Sequence, residues 1–243
     1  LLQEPVQSTT WIEDFLARTS AHQLVARTVS LKDGAVQLRN SQRGEALQFD
    51  GITLTTLFGP RWRLLLIGAG QLSQAVAHMA QLLDFEVLVC DPREEYAATL
   101  QMTQVTRLLG MPDDVVKAFH VDKRTCVIAL THDPKLDDLA LLEALSCDAL
   151  YVGAIGSRRN DEARRSRMVE HFDQTQESLA PLRGPIGIFI GSKTPPEIAV
   201  SVMAEVLAVK NAVPLPRDMQ VGPAKEQLLP SPRSEAVCFL PEK

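Results

Sequence analysis

The chain has 243 residues, enough at ~100–200 residues per domain for one large domain or a domain with a small appendage. Hydrophobic residues make up 45% and aromatics only 5%, so the apolar weight lies in Leu, Val, Ala and Ile. That mixture suits aliphatic strands covered by helices and excludes collagen-like, disordered and disulfide-scaffold classes. The balance of 25 basic against 30 acidic residues gives a net charge of −5, and no basic block resembles a nucleic-acid footprint. No apolar run approaches the ~20 residues that span a bilayer, so neither nucleic acid nor membrane is an expected partner.

Leu1 to Thr10 lack the charged-then-apolar layout of a signal peptide. Thr10-Trp11-Ile12-Glu13 reads as a capping box that opens a short helix through Arg18. Two modest strands, Leu24–Ser30 and Ala35–Arg39, follow around a turn at Lys32-Asp33-Gly34, and Gly59-Pro60 punctuates the chain. Residues 1–60 thus form a small α+β lead-in. From Arg63 the pattern becomes strand and helix in alternation. Strands are expected at Arg63–Ile67, Glu86–Cys90, Thr125–Leu130, Ala149–Val152 and Ile186–Ile190. Helices are expected at Gln71–Leu83, Glu94–Gln101, Asp138–Leu145, Asn160–Phe172 and Pro195–Lys210. Between Met102 and Val121 lie a weak edge strand and a short helix around Asp113–Ala118. The fold class is therefore α/β, a Rossmann-like doubly wound parallel sheet over residues 61–212, with the N-terminal lead-in and a Pro-rich, extended tail from 213 to 243.

In such a sheet, ligands sit beyond the carboxyl ends of the strands. Four loops there carry candidate chemistry. In Gly68-Ala69-Gly70-Gln71-Leu72-Ser73 the first Gly permits the tight turn, and Gly70 lets a pyrophosphate approach the helix N-terminus beside Gln71. Ser73 stands at the third fingerprint position, where Gly is usual. Asp91, after the second strand, suits a ribose 2′-hydroxyl. Arg93 faces either a phosphate or solvent. Thr131-His132-Asp133 follows the third clear strand, and Asp133 reads as a helix cap rather than as half of a catalytic pair, because adjacent residues on an extended segment point apart. Gly153-Ala154-Ile155-Gly156-Ser157-Arg158-Arg159 has the small residues, the capping Ser157 and the guanidiniums of Arg158 and Arg159 that an oxyanion site needs, although an ordinary loop with solvated arginines fits as well. Gly191-Ser192-Lys193-Thr194-Pro195-Pro196-Glu197 forms a capping box around Thr194. Three anion-friendly loops at one edge suit a ligand with several phosphates, or a dinucleotide with a further acidic group.

The cysteines at 90, 126, 147 and 238 form no C-x-x-C pair and read as reduced thiols of a cytoplasmic protein. No His spacing suits zinc.

Taken together, Gly68-Ala69-Gly70, Thr131-His132-Asp133 with Asp137, Tyr151-Val152-Gly153-Ala154-Ile155-Gly156-Ser157-Arg158, Pro185-Ile186-Gly187 with Gly191, and Thr194-Pro195 with Glu197-Ile198-Ala199-Val200-Ser201 and Ala204-Glu205 resemble the XdhC/CoxI family over Arg63–Asn211. The resemblance implies a Rossmann-like domain that binds a molybdopterin-type molybdenum cofactor and delivers it to an apo molybdenum hydroxylase such as xanthine dehydrogenase. It also implies contact with a sulfur-donating cysteine desulfurase. Family members commonly carry a Gly-Gly-Cys-Val-Glu segment near the N-terminus. This chain has no Gly-Gly pair and no cysteine before Cys90. The expectation is a cofactor chaperone with no catalytic constellation, able to form homo-oligomers. The alternatives are an NAD(P)-dependent oxidoreductase, which Gly68, Gly70 and Asp91 would suit, and a nucleotide-sensing module.

Overall fold

The computed structural model describes residues 5, 7–21, 23–41, 45, 47–59, 61–99 and 104–228. Pro60, Gln101, Met102, Cys238 and the prolines at 230, 232 and 241 lie outside the described residues. The chain divides into two units, Leu1–Arg61 and Trp62–Lys243.

The first unit holds α1 (Trp11–Ser20) and an antiparallel sheet of β1 (Val25–Ser30), β2 (Val36–Asn40), β3 (Gln48–Phe49) and β4 (Thr53–Phe58) in the order β2-β1-β4-β3. The Lys32-Asp33-Gly34 turn joins β1 to β2, with Gly34 at φ +77°. The capping box expected at Thr10 does not form. Thr10 is itself helical, and its hydroxyl pairs with the Ser8 hydroxyl at 2.9 Å instead of reaching forward. β3 and β4 have no counterpart among the expected elements. Asp50-Gly51 folds them into a hairpin, the Asp50 carboxylate accepting from the N–H groups of Ile52 and Thr53.

The second unit is built on six parallel strands: β5 (Trp62–Ile67), β6 (Phe85–Cys90), β7 (Val105–Leu108), β8 (Thr125–Ala129), β9 (Tyr151–Ala154) and β10 (Leu182–Arg183), ordered β10-β9-β8-β5-β6-β7. Numbered within this unit, the order is 3-2-1-4-5-6, that of dinucleotide-binding folds, with the crevice where β5 and β8 send their chains in opposite directions. The helices are α2 (Gln71–Leu82), α3 (Glu94–Thr99), α4 (Pro112–Ala118), α5 (Pro134–Leu145), α6 (Arg158–His171), α7 (Pro195–Lys210) and α8 (Val221–Leu228).

The central strands are unbroken aliphatic runs because helices cover both faces. Period-two alternation decides which helix each residue meets. Leu64, Leu66, Val87, Val89 and Ile128 share a core with Val76 and Ala80 of α2 and Val202, Met203 and Val206 of α7. Leu65, Ile67, Leu88 and Val127 share the other with Val115 and Val116 of α4, Ala140, Leu141 and Ala144 of α5, and Met168 of α6. At about 1.5–3 kcal/mol for each large aliphatic side chain, these two layers supply most of the stabilisation that holds the strand ends in place.

Two expectations need correction. The strand expected at Ile186–Ile190 is absent, and the edge strand is β10, just upstream. After a cis Gly184–Pro185 bond the chain turns at Gly187 (φ +103°), where a Cβ would lie 2.2 Å from the Ser201 hydroxyl, and a strand cannot pass through that geometry. Second, the stretch after Ala212 is not simply extended. It forms a 3-10 turn at Arg217–Met219 and then α8, with Pro223 in the first turn, where its missing N–H costs no helical bond. Gln220 bridges Ile188, and Phe189 donates to the Met219 carbonyl at 2.7 Å.

Candidate functional site

The carboxyl ends of β5, β6, β8 and β9 carry loops singled out from sequence, each with its own internal anchor. After β5, Gly68 adopts φ +108° and donates to the Cys90 carbonyl at 2.8 Å. A Cβ there would lie 2.9 Å from the Thr131 methyl, so this loop and the one after β8 touch at the crevice. Gly70 caps α2 in an extended conformation, and a Cβ there would meet nothing within 4 Å. This leaves open space in front of its backbone. Gln71 is exposed beside it, whereas Ser73 is buried against the sheet, its hydroxyl without a hydrogen-bond partner among the described residues.

Asp91 lies at the end of β6 with its carboxylate fully buried. It accepts from the Ala69 N–H at 2.9 Å and, through both oxygens, from the Nε and Nη2 of Arg93, each at 2.8 Å. Burial pushes this carboxyl up, but the Arg93 hydrogen bonds and the Ala69 amide more than reverse it, so it titrates below the ordinary carboxylate range. Arg93 also stacks on Tyr96 at 4.1 Å. Asp91, expected as a ribose acceptor, and Arg93, expected to face a phosphate or solvent, meet in a mutual clamp that ties the β6 loop to the β5 loop through Ala69. Cys90, next in line, is buried, its thiol aimed at the Gly110 carbonyl and its pKa pushed up to about 12 by burial. It packs as a core thiol.

After β8 the loop Thr131-His132-Asp133 wraps around Asp137. That carboxylate accepts from the Thr131 hydroxyl (2.7 Å), the Thr131 N–H (3.3 Å) and the His132 N–H (3.1 Å). His132 has φ +62° and is exposed, and Asp133 caps α5 by accepting from Lys135 N–H at 3.0 Å. Asp137 is buried beside Arg164, 3.7 Å away. Arg164 in turn pairs with Asp138 at 3.0 Å, and Asp138 also holds Arg167 at 2.7 Å. Burial, only partly offset by Thr131 and Arg164, raises the Asp137 carboxyl. The composition of these helices shows no regular face, yet an ion-pair ladder from α6 shapes the β8 loop. Sequence reasoning noted Asp137 only as a motif residue and missed Arg164.

The third loop begins later than expected, because Gly153 and Ala154 belong to β9. Gly153 has no room for a Cβ, which would lie 2.5 Å from Ile186. Gly156 and Ser157 then lead into α6, and Ser157 caps it by accepting from Asn160 N–H at 3.1 Å. Arg158, at the first position of α6, faces Glu226 of α8 at 3.7 Å. The fourth loop holds Gly191 (φ +74°), beside which a Cβ would meet nothing, and Thr194 in the expected capping box. The Glu197 carboxylate takes the N–H groups of both Lys193 and Thr194, the two residues before α7, whose own first two residues are prolines without an N–H. Behind this loop, buried Glu205 accepts from Tyr151 Oη (2.7 Å), Gly187 N–H (2.6 Å) and Arg183 (3.0 Å). Burial and Glu205 together raise the Tyr151 phenol well above its ordinary value, keeping it protonated as the donor.

The edge therefore offers backbone cradles at Gly70 and Gly191, donors around Gly156–Arg158, and no group of three or more metal-ligating side chains among the described residues. Open backbone at helix starts suits the acidic end of a phosphorylated ligand. Among the described residues, no helix is long and apolar enough to cross a membrane.

Comparison with known proteins places this architecture. The XdhC Rossmann domain matches residues 64–206. YqeB of Escherichia coli K12 is 34% identical over 161 residues, 65% of this chain and 29% of YqeB. A protein of Bacillus subtilis 168 named as a probable xanthine dehydrogenase subunit is 27% identical over 155 residues, 63% of this chain and 44% of that protein. The molybdenum cofactor insertion chaperone PaoD of Escherichia coli K12 is 33% identical over 90 residues, 37% of this chain and 28% of PaoD. The matches thus span less than half the length of these relatives. A crystal structure described as a xanthine dehydrogenase from Bacillus halodurans shares the fold, with a TM-score of 0.63 at 20% identity over 84% of this chain and 68% of that one.

Proposed function

Because the chain belongs to the XdhC family, through the match of its Rossmann domain over residues 64–206, we propose that it binds a molybdopterin-type molybdenum cofactor at the carboxyl edge of its sheet and delivers it to a molybdenum hydroxylase of the xanthine dehydrogenase type. The observation that carries this reading is the family match, joined to the relatives named as a cofactor insertion chaperone and as part of a xanthine dehydrogenase. The geometry supports it. The cradles at Gly70 and Gly191 and the donors from Gly156 to Arg158 suit the phosphate or pyrophosphate of such a cofactor. When bound, the cofactor would supply redox-active molybdenum to its eventual host, while this chain's residues hold and orient the acidic end. The partner is an apo-hydroxylase in the cytoplasm. A cysteine desulfurase acts alongside as sulfur donor, and Cys90, buried with a raised pKa, packs in the core.

An oxidoreductase reading would need Asp91 to accept a ribose hydroxyl beside the Arg93 guanidinium and the Ala69 amide that its buried carboxylate already holds. The test is direct. Protein purified from cells competent in molybdopterin synthesis is denatured and oxidised, and pterin fluorescence is read alongside an NAD(H) titration. Pterin is expected in wild type and reduced in Arg158→Ala. Absent pterin together with micromolar NAD(H) binding would refute the chaperone reading in favour of a nucleotide-dependent one.

A further inference from the structure

Beside the fourth loop lies a cavity of about 370 Å³ formed by two stretches distant in sequence, the segment from Ile188 to Lys193 and the first turns of α8. Its floor is apolar: Ile188, Phe189 and Val221. Lys193 from the loop and Lys225 from α8 are among the residues that line it, both exposed and neither in an ion pair among the described residues. The acids nearest in sequence make other contacts. Glu197 is held by the amides of Lys193 and Thr194, and Glu226 faces Arg158. The cavity therefore combines two lysines that form no ion pair among the described residues with an apolar wall, at a volume typical of small-molecule sites.

We propose that this cavity is a phosphate-binding subsite, with Lys193 and Lys225 taking the anionic end of a phosphorylated ligand whose less polar body lies on Ile188, Phe189 and Val221. The proposal rests on the reading that the carboxyl edge is the ligand face, and it makes that reading specific. α7 opens with Pro195 and Pro196, which carry no N–H, and the amides of Lys193 and Thr194 before them are taken by Glu197, so the charge that receives the ligand comes from side chains. α8 thereby contributes a binding residue. Ser192, which also lines the cavity, is a further hydroxyl donor. An anion flanked by two ammonium groups gains from both, and loss of one weakens binding without abolishing it.

The experiment uses the full chain and inorganic pyrophosphate, with dissociation constants from isothermal titration calorimetry at low ionic strength. Lys193→Gln and Lys225→Gln are each expected to weaken pyrophosphate binding ~5-fold or more, and the double variant at least ~30-fold. Lys123→Gln, an equal change of net charge at an exposed lysine paired with Asp148, is expected to leave affinity within ~2-fold. Circular dichroism confirms folding, and Lys193→Arg, which keeps the charge, restores affinity. The proposal is overturned if wild type binds no pyrophosphate, or if the double variant binds as tightly as Lys123→Gln. Pterin content is read separately on the same preparations. Lysine-dependent pyrophosphate binding without pterin would leave the subsite standing and remove the molybdenum reading. Pterin retained in the double variant at the wild-type level would do the reverse.

Discussion

Asp137→Ala removes the acceptor around which the β8 loop is folded, and its cost follows from the contacts. Thr131 loses two hydrogen bonds and His132 one, and Arg164 loses one of its two carboxylate neighbours. Thr131 is half-buried and His132 exposed, so water recovers part of what those amides lose, leaving about 1 kcal/mol for each. Breaking a buried ion pair costs about 3–5 kcal/mol, but Arg164 keeps Asp138, and removing Asp137 also relieves the burial that raises its pKa. The net expectation is about 3 kcal/mol of lost stability, or a Tm lowered by ~6–12 °C at the ~2–4 °C per kcal/mol typical of domains of 150–250 residues. The assay is urea unfolding followed by Trp62 fluorescence in a Trp11→Phe background, which isolates the second unit. Hydrogen exchange at the His132 amide accelerates in the same variant. Asp137→Asn, which keeps the shape and one acceptor, falls between wild type and Ala. A loss under ~0.5 kcal/mol for Asp137→Ala, with unchanged exchange at His132, would refute the view that this carboxylate organises the loop.

Other expectations are independent of it. Gly68→Ala combines φ +108° with a methyl 2.9 Å from Thr131 and destabilises by about 2–4 kcal/mol, whereas Gly70→Ala, whose methyl enters open space, stays within about 1 kcal/mol but lowers pterin content. Paired melting curves and pterin fluorescence check both; a Gly68→Ala protein as stable as Gly70→Ala would contradict the close approach of the two loops. Because the folded Asp91 carboxyl titrates below its unfolded value of 3.8, its contribution is present above that pH and is lost as pH falls through the folded value. The stability difference between wild type and Asp91→Asn should therefore shrink as the pH is lowered from about 7 to about 3, and a difference that grows on acidification would contradict the direction of this shift. In native protein at about pH 8, iodoacetamide should leave Cys90 and Cys126 unmodified while Cys147 reacts, as mass spectrometry of peptides would show, because the first two are buried and the Cys90 thiol sits near 12. Glu205→Ala strands the Tyr151 hydroxyl and the Gly187 amide in the core and should cost about 3–5 kcal/mol, with Tyr151→Phe far milder in urea titrations.

The central strands were legible because each is buried on both faces, so composition alone marks them. Ser157 and Asp133 were legible as caps because capping is local chemistry, and both cap as expected. What escaped was set by partners far along the chain. Ile186–Ile190 reads as an apolar strand until Ser201 and Glu205 of α7 bend it at Gly187. Proline content hid α8, since composition does not reveal that Pro223 falls in a first turn. One further contact had a local signal. Asp91 and Arg93 stand two apart on an extended segment, hence on one side, and their mutual clamp was available from that spacing. In the first unit, Asp50-Gly51 before Thr53-Leu54-Thr55 was a hairpin signature of the same kind.

The placement of α8 has a consequence in time. A ribosome delivers β5, its glycine loop and the switch crevice early, and the six-stranded sheet can close once β10 has emerged. Glu226, which meets Arg158, and Lys225, which shares a cavity with Lys193, are made only after all of these. A nascent chain can thus fold its sheet while the edge beside Gly191 is still half built. Translation itself orders the steps, so that the scaffold can exist before α8 joins it.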